Sequence, residues 1–157
     1  MEQAANALFE GSGLLTSVQD DVTSLEELSH AQAAGLLWLA RGPDREPIGF
    51  ALVDLVDGEP HLEEIDVDPA HGRRGVGRAL LEAVCAWARE AGHAALSLTT
   101  FRDLPWNAPF YERAGFRTLG PDEIAPGLAA IVRDETARGL DSATRVVMRR
   151  PLNEGPR

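Results

Sequence analysis

Apolar residues along the chain recur with two different periods, and the switches between them mark out the elements. "QAANALFE" (3–10) and "SLEELSHAQAAG" (24–35) carry helical spacing, the second opened by Ser24 as N-cap with Glu27 three residues on. "GLLWLARG" (35–42) and "EPIGFALVDLVDGEPHLEEIDVDP" (46–69) are apolar runs split by the turn signals "GPDRE" and "DGEP", which predicts three consecutive strands in a meander. From Gly75 the period becomes helical again. Val76, Ala79, Leu80, Ala83, Val84, Trp87, Ala88 and Ala91 form one face, and Gly92 closes the helix. "AALSLTT" (94–100) predicts a short strand, "NAPFYERAG" a helix ending at Gly115, "GLAAIVRDETARG" a short helix, and "TRVVMRRPL" a last strand. Helices, an antiparallel meander and then a strand-helix-strand crossover predict a mixed α/β sheet.

Composition narrows the class. The 157 residues, 44% of them hydrophobic, suit a single domain over 1–157, with 151–157 as a frayed tail. The formal net charge of −10 argues against nucleic acid, because neutralising phosphates takes surplus Lys and Arg. No apolar window is long enough for a membrane span, and the first residues lack the basic and apolar regions of a signal peptide, so no membrane partner and a cytoplasmic location are expected. The one cysteine, Cys85, reads as a small core residue of its helix. His30, His71 and His93 have no metal-ligand spacing and read as surface residues; no metal is expected.

The stretch "VDPAHGRRGVGRAL" (67–80) sets a glycine-rich turn between a strand and a helix. Such a turn aims unencumbered backbone N–H groups and the positive end of the helix dipole at one point, which suits an anion. Arg73, Arg74 and Arg78 add positive charge. A P-loop would need a lysine followed by Ser or Thr, which is missing. The GxGxxG fingerprint fails because Leu80 stands at its third glycine and three hairpin-linked strands come first.

The spelling resembles the GCN5-related N-acetyltransferases, which transfer acetyl from acetyl-coenzyme A to an amine. Val67, Pro69, Gly75 and Gly77 fall on the family's strand-proline-glycine-loop pattern. Asn107, Tyr111, Gly115 and Phe116 of "WNAPFYERAGF" match its second block. The resemblance covers roughly residues 45 to 120. Gly72 stands in the family's usual Arg or Gln place and Arg73 in its usual Gly place, and the family's first strand is missing.

The resemblance implies a mainly antiparallel central sheet flanked by helices, with acetyl-coenzyme A as co-substrate. It assigns the pyrophosphate to Gly72, Arg73, Arg74, Gly75, Val76, Gly77 and Arg78, the thioester carbonyl to the backbone of Val67, and the pantetheine arm or adjacent backbone to Asn107. Glu63 is implied as the base, with His61 and Glu64 as alternatives on the same strand, and Tyr111, the only tyrosine, as the acid. Independently of the family, "TTFRDLPWN" sits between a strand end and a helix, where loops build binding sites. Asp103 could meet a substrate ammonium and Arg102 a carboxylate, or the two could pair with each other; Trp106 lies beside them. The expected acceptor is a small-molecule amine. Rival readings are a catalytically silent coenzyme-binding sensor and an acyltransferase acting on a protein or peptide amine; the family also admits a homodimer.

Overall fold

The computed structural model describes residues 25–72, 74–105, 107–140 and 142–152. The expected first helix (3–10), Ser24, Arg73, Trp106 and the tail beyond residue 152 lie outside the described residues, as does any strand before the first described helix. The described elements are α1 (Leu25–Ala34), β1 (Leu37–Arg41), β2 (Pro47–Val56), β3 (Glu59–Val67), α2 (Val76–Glu90) and β4 (Ala95–Phe101). After them come α3 (Ala108–Arg113), β5 (Arg117–Thr118), α4 (Pro126–Ala137) and β6 (Arg145–Pro151). The six strands form one mixed sheet in the order β1-β2-β3-β4-β6-β5. The α/β class, the meander and the crossover are as expected: β3 pairs parallel with β4, and β4 pairs antiparallel with β6.

The chain divides into two compact units, Met1–Asp54 with Glu63–Ala86, and Leu55–Leu62 with Trp87–Arg157. In the first, β1 pairs antiparallel with β2 from Leu37↔Leu52 onward, and Leu28, Ala31, Phe50 and Leu52 form a core cluster joined by Leu36, Leu37 and Leu39. Each such large apolar side chain contributes roughly 1.5–3 kcal/mol when buried. In the second, Leu119, Leu128 and Val147 form a cluster with Val56, Ile124, Ile131 and Val132. The β2–β3 connection is a two-residue turn at Asp57 and Gly58, whose φ values of 53° and 78° are the left-handed pair such hairpins require.

Two expectations shift. On α2 the buried face is Leu80, Leu81, Val84, Cys85 and Ala88, while Ala79 and Ala83 are exposed. The alanines fit the period, but Leu81 has far more surface to bury and turns the helix toward itself. The strand β5, two residues long, carries no period and was not predicted; its pairing with Arg149 and Met148 of β6 creates it.

Candidate active site

The junction between β3 and α2 builds the glycine-rich site from local chemistry. Beyond Val67, the Asp68 amide donates to Ile48 O at 2.7 Å, and its carboxylate accepts the Ala70 amide at 3.0 Å. This caps the single 3₁₀ turn Pro69–His71. The chain then reverses at Gly75, where φ is 80° and no atom lies within 4 Å of the place a Cβ would take. That residue is both left-handed and open to space, as a ligand-facing turn requires. Gly75 O accepts the Ala79 amide at 2.9 Å, so the amides of Val76, Gly77 and Arg78 occupy the first helical turn, where a helix has no acceptor of its own to give.

The helix start is pressed onto the strands. A Cβ at Gly49 of β2 would stand 3.0 Å from Asp66 O, 3.2 Å from Leu80 Cδ1 and 3.3 Å from Val76 Cγ1. At Gly77 it would only touch Val67 and Ile65 side chains at 3.8 and 3.9 Å. The residues suit a diphosphate held by backbone amides. The side chains contribute less than the count of arginines suggests: Arg78 Nε donates to Glu82 Oε1 at 3.2 Å, Arg74 is exposed, and the Gly72 amide already donates to Pro69 O at 3.3 Å.

On β3, Glu63 is exposed and Glu64 half-buried. His61 differs from a solvated strand entrance: only 3% exposed, its Nδ1 lies 2.9 Å from Ser97 Oγ of β4. Ser97 was missed as a functional neighbour; the one signal was a polar residue inside an otherwise apolar strand. His71 is not a plain surface residue either. Its Nδ1 is buried without a hydrogen-bond partner and its Nε2 stands 3.9 Å from Glu46 Oε1. His93 is half-buried with its ring 5.7 Å from that of Trp87. His30 is exposed.

Tyr111 lies on the short helix α3, with its ring edge-on to Phe110 at 5.1 Å and to Phe116 at 5.6 Å. Burial disfavours the phenolate and pushes its pKa up to about 12. Asn107 stands at the helix start without a side-chain cap bond, which leaves its amide uncommitted to the helix. Arg102 and Asp103 pair with each other at 3.2 and 3.3 Å, and the Arg102 amide donates to Thr144 O, anchoring the loop. Among the described residues no group of three or more His, Cys, Asp or Glu is placed to hold a metal, and no helix is long and apolar enough to cross a membrane.

A glycine-rich strand-helix junction, followed later in the sequence by a half-buried tyrosine on a short helix, keeps the order of motifs on which the resemblance rests. Residues 6–116 match the acetyltransferase (GNAT) family, and the chain belongs to it. It is 46% identical over 76 residues to a mycothiol acetyltransferase of Clavibacter sepedonicus, covering 48% of this chain and 23% of that protein. It is also 46% identical over 79 residues to an aminoglycoside N(6′)-acetyltransferase type 1 of Stenotrophomonas maltophilia, covering 43% and 52% respectively. The chain thus spans from about a quarter to about half of these relatives. A GNAT-family acetyltransferase from Staphylococcus aureus Mu50 shares the fold, with a TM-score of 0.70 over 98% of this chain and 96% of that one at 17% identity. Solved structures of the same fold hold coenzyme A or acetyl-coenzyme A, in keeping with acetyl-coenzyme A as co-substrate.

Proposed function

We propose that the protein is an N-acetyltransferase that moves the acetyl group of acetyl-coenzyme A directly to a primary amine of a small-molecule acceptor. The observation that carries this reading is the β3–α2 junction: left-handed Gly75 in open space, followed by a first helical turn whose amides have no acceptor within the helix. The relatives named for aminoglycoside and mycothiol acetylation, of which the chain spans about half and about a quarter, support a small amine acceptor.

In this mechanism Glu63 takes a proton from the acceptor ammonium, directly or through water, and the free amine attacks the thioester carbonyl. The Val67 amide donates to the carbonyl oxygen as it gains charge. The nitrogen of the tetrahedral adduct gives its surplus proton to water, and collapse of the adduct breaks the carbon–sulfur bond and leaves the amide and the thiolate. A phenol near 12 is protonated throughout the neutral range, as a donor must be, but it is a weaker acid than a thiol of ordinary pKa about 8.5. Tyr111 therefore serves by hydrogen-bond donation to the developing thiolate. Its proton need not transfer fully.

Calorimetric titration with acetyl-coenzyme A, followed by thiol release against an aminoglycoside, streptothricin and a peptide with a free N-terminus, tests the reading. Saturable binding with turnover on the small amines is expected. Binding without turnover on any amine would turn the protein into a coenzyme sensor; turnover confined to the peptide would make it a protein acyltransferase. Absence of binding would end the reading.

A further inference from the structure

Within the second compact unit, one register row crosses four adjacent strands: His61 of β3 pairs with Ser97 of β4, Ser97 with Arg149 of β6, and Arg149 with Arg117 of β5. Partners in a ladder share a face, so these side chains stand in line. The inner end is buried, with His61 bonded to Ser97. At the outer end two guanidinium groups lie directly opposite each other, an unfavourable pairing unless counter-charges are supplied. Glu59 supplies one, accepting from Arg149 Nη2 at 2.8 Å. Glu123 supplies the other, accepting from Arg117 at 2.6 and 3.1 Å.

Ser97, Arg149 and Arg117 open into a cavity of about 370 Å³, at the lower end of the size range of small-molecule pockets. Val56, Leu119 and Leu128 give it an apolar wall. Its remaining carboxylate, Asp57, is already committed: Oδ2 accepts the Gly127 amide at 2.8 Å at the start of α4. The working charges on the wall are therefore two positive and two negative, the two arginines side by side with one glutamate on each. A ligand with a single net charge meets repulsion from one pair or the other. One bearing an ammonium and a carboxylate on neighbouring atoms meets attraction from both. Each partner of the two ion pairs is between 35% and 57% exposed, so the pairs are weak and open readily for ligand groups.

We propose that this cavity binds a small zwitterionic amino acid with an apolar side chain. The carboxylate takes the Arg117–Arg149 side, the ammonium takes Glu123, and the side chain lies on Val56, Leu119 and Leu128. None of these residues has a part in the proposed acetyl transfer, so the site stands whether or not that reading does.

The test is calorimetric titration of the full chain with L-leucine, L-leucine methyl ester, which lacks the carboxylate, and N-acetyl-L-leucine, which lacks the ammonium. Saturable one-to-one binding of leucine is expected, weakened at least tenfold in either derivative. Arg117→Gln and Glu123→Gln, both at exposed positions, should each weaken leucine at least tenfold while leaving the acetyl-coenzyme A titration and the melting temperature as in the parent. No saturable leucine binding, equal binding of the ester or the acetylated form, or undiminished binding by Arg117→Gln would overturn the proposal. In the last case the ion pairs merely fasten β6 to β3 and the turn Pro121–Glu123 to β5.

Discussion

Tyr111 is the only tyrosine in the chain, so its ionisation can be followed directly by ultraviolet absorbance. Burial holds the phenol neutral, and the absorbance change in the folded protein is expected at about 12, against about 10 after unfolding. The sign for stability follows. The raised pKa contributes fully below pH 10 and is lost as pH rises through about 12, because the unfolded chain sheds the proton first. Tyr111→Phe should remove that alkaline loss, and on the proposed mechanism it should also lower kcat about 10²–10³-fold with little change in coenzyme affinity. A midpoint near 10 in the native protein would place the ring in solvent and sink both statements. Gly75→Ala isolates the turn: with open space around it, its only penalty is the left-handed backbone, about 1–2 kcal/mol, and acetyl-coenzyme A should bind correspondingly less tightly by calorimetry. The glycine and the tyrosine were legible in the sequence through their motifs. The burial of His61 was not, since it depends on Ser97, 36 residues away.

At the scale of elements, the periods in the sequence gave the long helices and strands, because each carries its own hydrophobic face. What they missed was supplied from elsewhere in the chain. The helix α4 has Ala125 at its N-cap, with no side-chain cap bond of its own, and Asp57 provides one from 70 residues away. Asp57 is left-handed, so Asp57→Gly keeps the turn and deletes only the cap. It is expected to cost about 1 kcal/mol, or roughly 2–4 °C in melting temperature, with Asp57→Asn close to the parent. A melting temperature unchanged in Asp57→Gly would show that the cap is idle. The other end of α4 is held by charge: Glu135, 6% exposed, accepts from Thr99 at 2.5 Å and from Arg145 at 3.1 and 3.2 Å, while Arg145 lies 4.5 Å over the Phe101 ring. Glu135→Leu leaves that guanidinium without its counter-charge and should destabilise by about 3–5 kcal/mol in denaturant unfolding. A loss below about 1 kcal/mol would mean water reaches the pair.

At the scale of the whole molecule, the formal charge of −10 acts in opposite directions on the two proposed substrates. A cationic amine is drawn toward the protein and an anionic coenzyme is repelled, while on the proposed reading exposed Arg74 and the first-turn amides of α2 act on the coenzyme only at close range. Salt separates these effects, because the screening length falls from about 10 Å at 0.1 M to about 3 Å at 1 M, shorter than the molecule but longer than a hydrogen bond. With an aminoglycoside as acceptor, raising salt should lower kcat/KM for the amine severalfold at constant kcat. A singly charged amine should respond much less. The association rate of acetyl-coenzyme A should hold steady or rise over the same range. If kcat/KM for the amine instead holds steady as salt is added, short-range contacts dominate for the amine, and the acidic surface is there for solubility, with no part in gathering the acceptor.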